Sequence, residues 1–248
     1  MSDHVTITRH DKGVVLVRMN RLDKKNALTG AMYDTMRGVI ENAGPEGTRV
    51  VVFAGGPGCF TSGNDIADFM ARSTGDVKGS PAGDFITALA TVEVPMIAAV
   101  DGLAIGIGTT MVFHMDLAYA SPRAMFRMPF VDLGLVPEAA SSILMPEAAG
   151  LKKAAEHIML AEPFGAAEAE KMGVINAVVP EAELEAKALE AAFKLASKPP
   201  QALAHTRRLL RSNGALLRER IKLEGSLFAS QLKTDEARQA FMAFMSRK

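Results

Sequence analysis

Three parts of the chain carry residue types able to move a proton beside a polarised carbonyl. One is Glu138 in "FRMPFVDLGLVPEAASSILMPEAAG", where a single acid follows a proline in apolar, small-residue surroundings and the next acid is Glu147. Such surroundings desolvate a carboxylate and raise its pKa toward the range of a general acid–base. The others are the glycine-bearing segments "GGPGCFTSGNDIADF" and "VDGLAIGIGTTMVFHMD". A strand-to-helix turn leaves backbone N–H groups unpaired, and two that converge can hold an oxyanion. Both features also have plainer uses. Gly63, Gly106 and Gly108 permit tight turns, and Pro137-Glu138 suits the first turn of a helix, where negative charge is favourable.

These residues need a frame. Alternation around Asp11, Lys12 and Gly13 in "VTITRHDKGVVLVRMN" predicts a β-hairpin. A helix is expected over residues 29–43, with Thr29 as N-cap and Met32, Met36, Val39 and Ile40 on one face. "RVVVFAG" and "PMIAAVDG" read as buried strands ending in glycine, separated by a helix around residues 85–91. The repeated order implies stacked β–β–α units. From Glu181 helix formers dominate, and four helices are expected, with breaks at Pro199, Gly214 and Thr234.

Composition narrows the function. The 248 residues balance 28 Lys and Arg against 28 Asp and Glu, so no global field attracts nucleic acid or an anionic membrane. Cys59 is the only cysteine, which excludes an intrachain disulfide and fits a reducing compartment. No apolar run reaches the roughly 18 to 20 residues of a membrane span, the N-terminus lacks a signal-peptide pattern, and the final Ser-Arg-Lys is no peroxisomal address. A soluble cytoplasmic protein is expected. His114, on an expected buried helix, reads as a hydrogen-bonded structural residue, and His157 and His205 lack metal-ligand spacing. No metal is expected.

The ordered pieces "NRLDKKNAL", "FTSGNDIADF", "AAVDGLAIGIGTTMVFHMDLAYAS", "FRMPFVDLGLVPEAASS" and "AAEAEKMGVINAVV" resemble the crotonase (enoyl-CoA hydratase/isomerase) superfamily over nearly the whole chain. The resemblance implies an α/β fold: a spiral of repeated β–β–α units over residues 1–190, and a C-terminal helical trimerisation region over 191–248. A homotrimer, or a dimer of trimers, follows. It also implies an acyl-CoA substrate, coenzyme A being part of that substrate rather than a separate cofactor. The oxyanion hole falls on the N–H groups of Asn64 and Ile107. The contacts to coenzyme A fall on Lys24, Lys25, Ala27, Ser62, Asp65 and Ile66. Lysine is a suitable point charge for phosphate, although Lys24 and Lys25 equally read as a solvated loop.

The resemblance also bears on the reaction. The hydratases resembled here hold water with two glutamates, and those positions carry Thr110 and Phe130 in this chain. Glu138 instead matches the base of peroxisomal-type Δ3,Δ2-enoyl-CoA isomerases, whose Pro-Glu-Gly-like motif becomes Pro137-Glu138-Ala139 here. The expectation is an isomerase of fatty acid degradation, with Met111, Phe130 and Leu135 forming an apolar wall that raises the Glu138 pKa. The alternatives are a hydratase using Glu138 with Asp132, and an inactive CoA-binding scaffold. Asp65 and Asp68 read as helix-flanking acids, and Arg207, Arg208 and Arg211 as residues that could reach a neighbour's ligand.

Overall fold

A computed structural model describes residues 2–67, 80–211 and 213–246. The hairpin forms as expected: β1 (Val5–Arg9) lies antiparallel to β2 (Val14–Met19), with Val5 opposite Met19. Its turn needs glycine, because Gly13 has φ of 74° and a Cβ there would lie 2.4 Å from the Gly47 carbonyl oxygen. Helix α1 (Gly30–Glu41) follows, its Thr29 cap accepting from the Met32 N–H at 3.4 Å. Met32, Met36, Val39 and Ile40 are all buried.

The spiral then lays down paired strands. β3 (Val50–Ala54) is followed by β4 (Cys59–Thr61), β5 (Met96–Val100) by β6 (Leu103–Ile105), and β7 (Leu117–Ala120) by β8 (Met125–Arg127). Helix α2 (Pro81–Thr91) precedes β5, and the short α3 (Ile107–Thr110) follows β6. After β8 come α4 (Ser141–Ala149), α5 (Leu151–Met159), β9 (Phe164–Gly165), α6 (Ala166–Lys171) and β10 (Ala177–Val178). One member of each pair enters a six-stranded sheet ordered β1-β2-β3-β5-β7-β10, and the other a four-stranded sheet ordered β4-β6-β8-β9.

Both faces of the large sheet are covered. Every residue of β3 and β5 is buried, as strands packed on two sides require. Val15, Val17, Val51 and Phe53 join the main core, while Val14, Leu16, Val50 and Val52 face the other way. That second face is sealed by α7 (Leu184–Ala196) through Leu184, Ala188, Ala191 and Ala192. The expected boundary at residue 190 therefore falls inside an unbroken helix packed on the spiral.

Helices α8 (Pro200–Leu210), α9 (Gly214–Gln231) and α10 (Asp235–Ser246) complete the chain, with breaks where Pro199, Gly214 and Thr234 place them. They leave Leu209, Leu210, Leu216, Leu223 and Leu227 exposed. Among the described residues no helix is long and apolar enough to cross a membrane.

Candidate active site

β4, β6 and β8 run parallel, with Thr61 beside Ala104 and Ile105 beside Arg127, so the segments that leave their carboxyl ends emerge together. Each carries one candidate group. The turn after β4 presents Asn64, the turn after β6 presents Ile107, and the segment after β8 leads to Glu138.

The two glycine turns press on one another. A Cβ on Gly63, where φ is 91°, would sit 2.9 Å from the Ile105 carbonyl oxygen, and one on Gly108 would sit 2.6 Å from Thr61 Cγ2. Leu28 bridges the first turn: its N–H donates to Gly63 O at 2.8 Å and its carbonyl accepts from the Asp65 N–H at 2.9 Å. This pairing uses the N–H groups on either side of the contact and leaves that of Asn64 out. Ile107 opens α3, so its N–H has no acceptor within the helix. Among the described residues neither amide donates a hydrogen bond. The Asn64 side chain is fixed by the Tyr33 hydroxyl, which donates to Oδ1 at 2.6 Å.

Glu138 is buried, 9% exposed, and Oε1 accepts from the Thr110 hydroxyl at 2.5 Å. Thr110 lies one turn along α3 from Ile107, so one short helix both offers an amide and holds the carboxylate. Burial pushes the Glu138 carboxyl up to about 8; the Thr110 hydrogen bond opposes this and the nearby Glu224 carboxylate adds to it. Met111, Phe130 and Leu135 are buried in the same core cluster as the neighbouring Ala139.

Glu138 does not stand in the first turn of a helix. α4 begins at Ser141, and Ala139 and Ala140 form a left-handed turn with φ of 57° and 55°. The cap that the sequence offered to Glu138 is supplied by Glu224 of α9: Oε2 accepts from the Ala140 N–H at 2.6 Å, and Oε1 from the Ser142 N–H at 3.3 Å and from the Ser142 hydroxyl. On the other side His114 donates from Nε2 to Ala139 O at 2.7 Å. Burial holds the His114 pKa down to about 4, so the ring is neutral and structural.

The loop ahead of α1 runs beside these turns. Lys24 and Lys25 are exposed, and Ala27, Ser62, Asp65 and Ile66 are half-buried. Sequence reasoning missed Asn26, which ties this loop down: Nδ2 donates to Cys59 O at 2.9 Å and Phe60 O at 3.2 Å, and Oδ1 accepts from the Arg21 N–H at 2.6 Å. Its φ of 52° lies in the left-handed region, which asparagine tolerates, so residue type was the one signal in the sequence. Ser62 N–H reaches Lys25 O at 3.0 Å, bringing the loop to the edge of the glycine turn. Asp65 pairs with Arg21 at 2.6 Å and accepts from the Ala67 N–H at 3.0 Å, a helix-flanking role. Asp68 lies outside the described residues.

One expectation is corrected. Asp132 does not join Glu138: it is about half exposed and pairs with Arg127 at 2.8 Å, the 3-10 turn Val131–Leu133 carrying it outward. Arg207 and Arg211 are engaged within the chain, both on Asp116 at 2.9 Å, and Arg208 pairs with Glu93 at 2.9 Å.

Comparison with known proteins gives the family. The enoyl-CoA hydratase/isomerase family model matches residues 9–248. "Enoyl-CoA delta isomerase 2" of Rattus norvegicus is 32% identical over 247 residues, covering 95% of this chain and 62% of its own length, so the chain spans about three fifths of that relative. A "Probable enoyl-CoA hydratase" of Rhodobacter capsulatus is 27% identical over 251 residues, covering 100% of this chain and 97% of its own. The solved structure of Pseudomonas aeruginosa OdaA superposes with a TM-score of 0.93 at 40% identity, covering 98% of this chain and 99% of that one. The chain belongs to the enoyl-CoA hydratase/isomerase family.

Proposed function

We propose that the chain is a Δ3,Δ2-enoyl-CoA isomerase of fatty acid degradation with Glu138 as its proton carrier. The observation that carries this reading is a buried carboxylate, raised to about 8 and hydrogen-bonded to Thr110, which by the family resemblance stands where hydratases hold a glutamate. The Glu138 carboxylate takes a proton from the α-carbon, and the electron pair moves onto the thioester oxygen, where the Asn64 and Ile107 amides receive the charge. The carbonyl then re-forms, the former β,γ pair collects a proton from Glu138 at the γ-carbon, and the double bond lies at α,β. One carboxylate closes the cycle with no net proton change. Lys24 and Lys25 meet the phosphates of coenzyme A, and the edge through Ala27, Ser62, Asp65 and Ile66 meets its adenine and pantetheine.

A homotrimer, or a dimer of trimers, belongs to the same proposal, supported by Leu209 and Leu210 of α8, 78% and 82% exposed. A cytoplasmic setting is supported by Cys59, the only cysteine, buried as a free thiol. Conversion of a 3-enoyl-CoA to its conjugated 2-enoyl isomer, followed by absorbance, is the deciding assay. Glu138→Gln should abolish it. Retained conversion in that variant refutes the role of Glu138, hydration of a 2-enoyl-CoA at comparable speed makes the enzyme a hydratase, and binding without turnover makes it a scaffold.

A further inference from the structure

The turn that follows Glu138 is held in a shape its own residues resist. Ala139 and Ala140 both adopt left-handed φ, where a Cβ crowds the following carbonyl oxygen, and neither position carries the glycine or asparagine that relaxes such a turn. Two elements remote in sequence impose it. His114 takes the Ala139 carbonyl, and Glu224, 84 residues beyond Ala140, takes its N–H. α9 buries two residues, Leu217 and Glu224. A carboxylate is costly to bury unless it is hydrogen-bonded, and all the bonds of this one run to Ala140 and Ser142. Arg220, one turn earlier on α9, donates to the Ser142 hydroxyl at 3.2 Å, which turns the hydroxyl proton toward Glu224.

We propose that Glu224 is a positioning residue: by gripping the amides of Ala140 and Ser142 it locks the left-handed turn that aims the Glu138 carboxylate at Thr110 and the mouth of α3. The inference rests on Glu138 being the proton carrier. It makes a C-terminal helix part of the site's construction, although no residue of α9 belongs to the oxyanion turns or to the coenzyme A edge.

The test compares Glu224→Ala, Glu224→Gln, and Glu224→Ala combined with Ala140→Gly, in the full chain at one protein concentration, with Glu138→Gln as control. Amide hydrogen exchange at Ala140 and Ser142 is read alongside kcat and KM for a 3-enoyl-CoA. Glu224→Ala should speed exchange at both amides and lower kcat about a hundredfold, the cost of a misaimed group, with KM within about twofold. Glu224→Gln keeps an oxygen for the Ala140 N–H, the shorter of the two amide bonds, and gives up the acceptor for the Ser142 N–H, so most of kcat should return while exchange at Ser142 stays fast. The glycine should recover part of it as well, because glycine adopts the turn unaided.

Unchanged exchange at Ala140 in Glu224→Ala overturns the grip. A kcat within about threefold of wild type, with Glu138→Gln inactive, overturns the positioning role and leaves the proton carrier standing. An active Glu138→Gln overturns the proton carrier instead. Glutamine and glycine variants as damaged as Glu224→Ala, whether in folding or in rate, also overturn the positioning role.

Discussion

Replacing Glu138 by glutamine removes a titration that burial has displaced, and the consequence for stability can be worked out. The side-chain oxygen remains to accept from Thr110, while the ionisable proton is gone. In the fold the carboxyl holds its proton up to about pH 8, against an ordinary value of 4.5. The native state therefore binds more protons than the unfolded chain between these limits, and the wild type loses stability as pH rises through them. The contribution is complete below the unfolded value and is exhausted above about pH 8. At about 1.4 kcal/mol per pKa unit, the wild type gives up about 3 kcal/mol between pH 4.5 and neutrality, and about 1 kcal/mol more by pH 8. Glu138→Gln gives up none of it. Urea unfolding followed by far-ultraviolet circular dichroism, from about pH 5 to about pH 9 at fixed protein concentration, measures the difference between the two proteins, in which other titrations largely cancel. The gap should widen steadily and then level off. Parallel curves would refute the reasoning, since Glu138 would then ionise at its ordinary value and burial would not be tuning it.

The same displacement predicts that kcat/KM for a 3-enoyl-CoA rises about tenfold per pH unit up to about pH 8, as the base loses its proton. Thr110→Val, which removes the hydrogen bond that lowers this pKa, should move the inflection to higher pH in the same rate measurement. Gly63→Ala forces a side chain into a φ of 91° and within 2.9 Å of Ile105 O, so thermal unfolding should show a loss of about 1 to 3 kcal/mol and the rate should fall about a hundredfold as the Asn64 amide is displaced. Asp132→Asn should leave the rate unchanged and stability within about 1 kcal/mol, because its exposed pair with Arg127 is worth little; a large rate loss would restore Asp132 as a second acid.

What could be read from the sequence was what neighbours in sequence decide. The Thr29 cap, the apolar period of α1, the all-buried β3 and β5 and the breaks between α7, α8, α9 and α10 each depend on a few adjacent residues, and each formed where its pattern lay. The left-handed turn at Ala139 and Ala140 gave no such signal, because alanine favours helix and the force that bends it arrives from α9. Glu224 was equally hidden, an acid in a charged helix whose burial depends on a partner 84 residues away. Asp132 and Glu138 show why residue type is insufficient even locally. They are two acids in one short segment, and either could be named a base. Leu133 and Gly134, the latter with φ of 67°, close a turn that sends Asp132 to solvent and Arg127, and the chain beyond it brings Glu138 to Thr110. The first acid is paired and exposed; the second is desolvated and raised. Proton-transfer chemistry near neutral pH needs the second condition, so backbone direction over six residues selects the base.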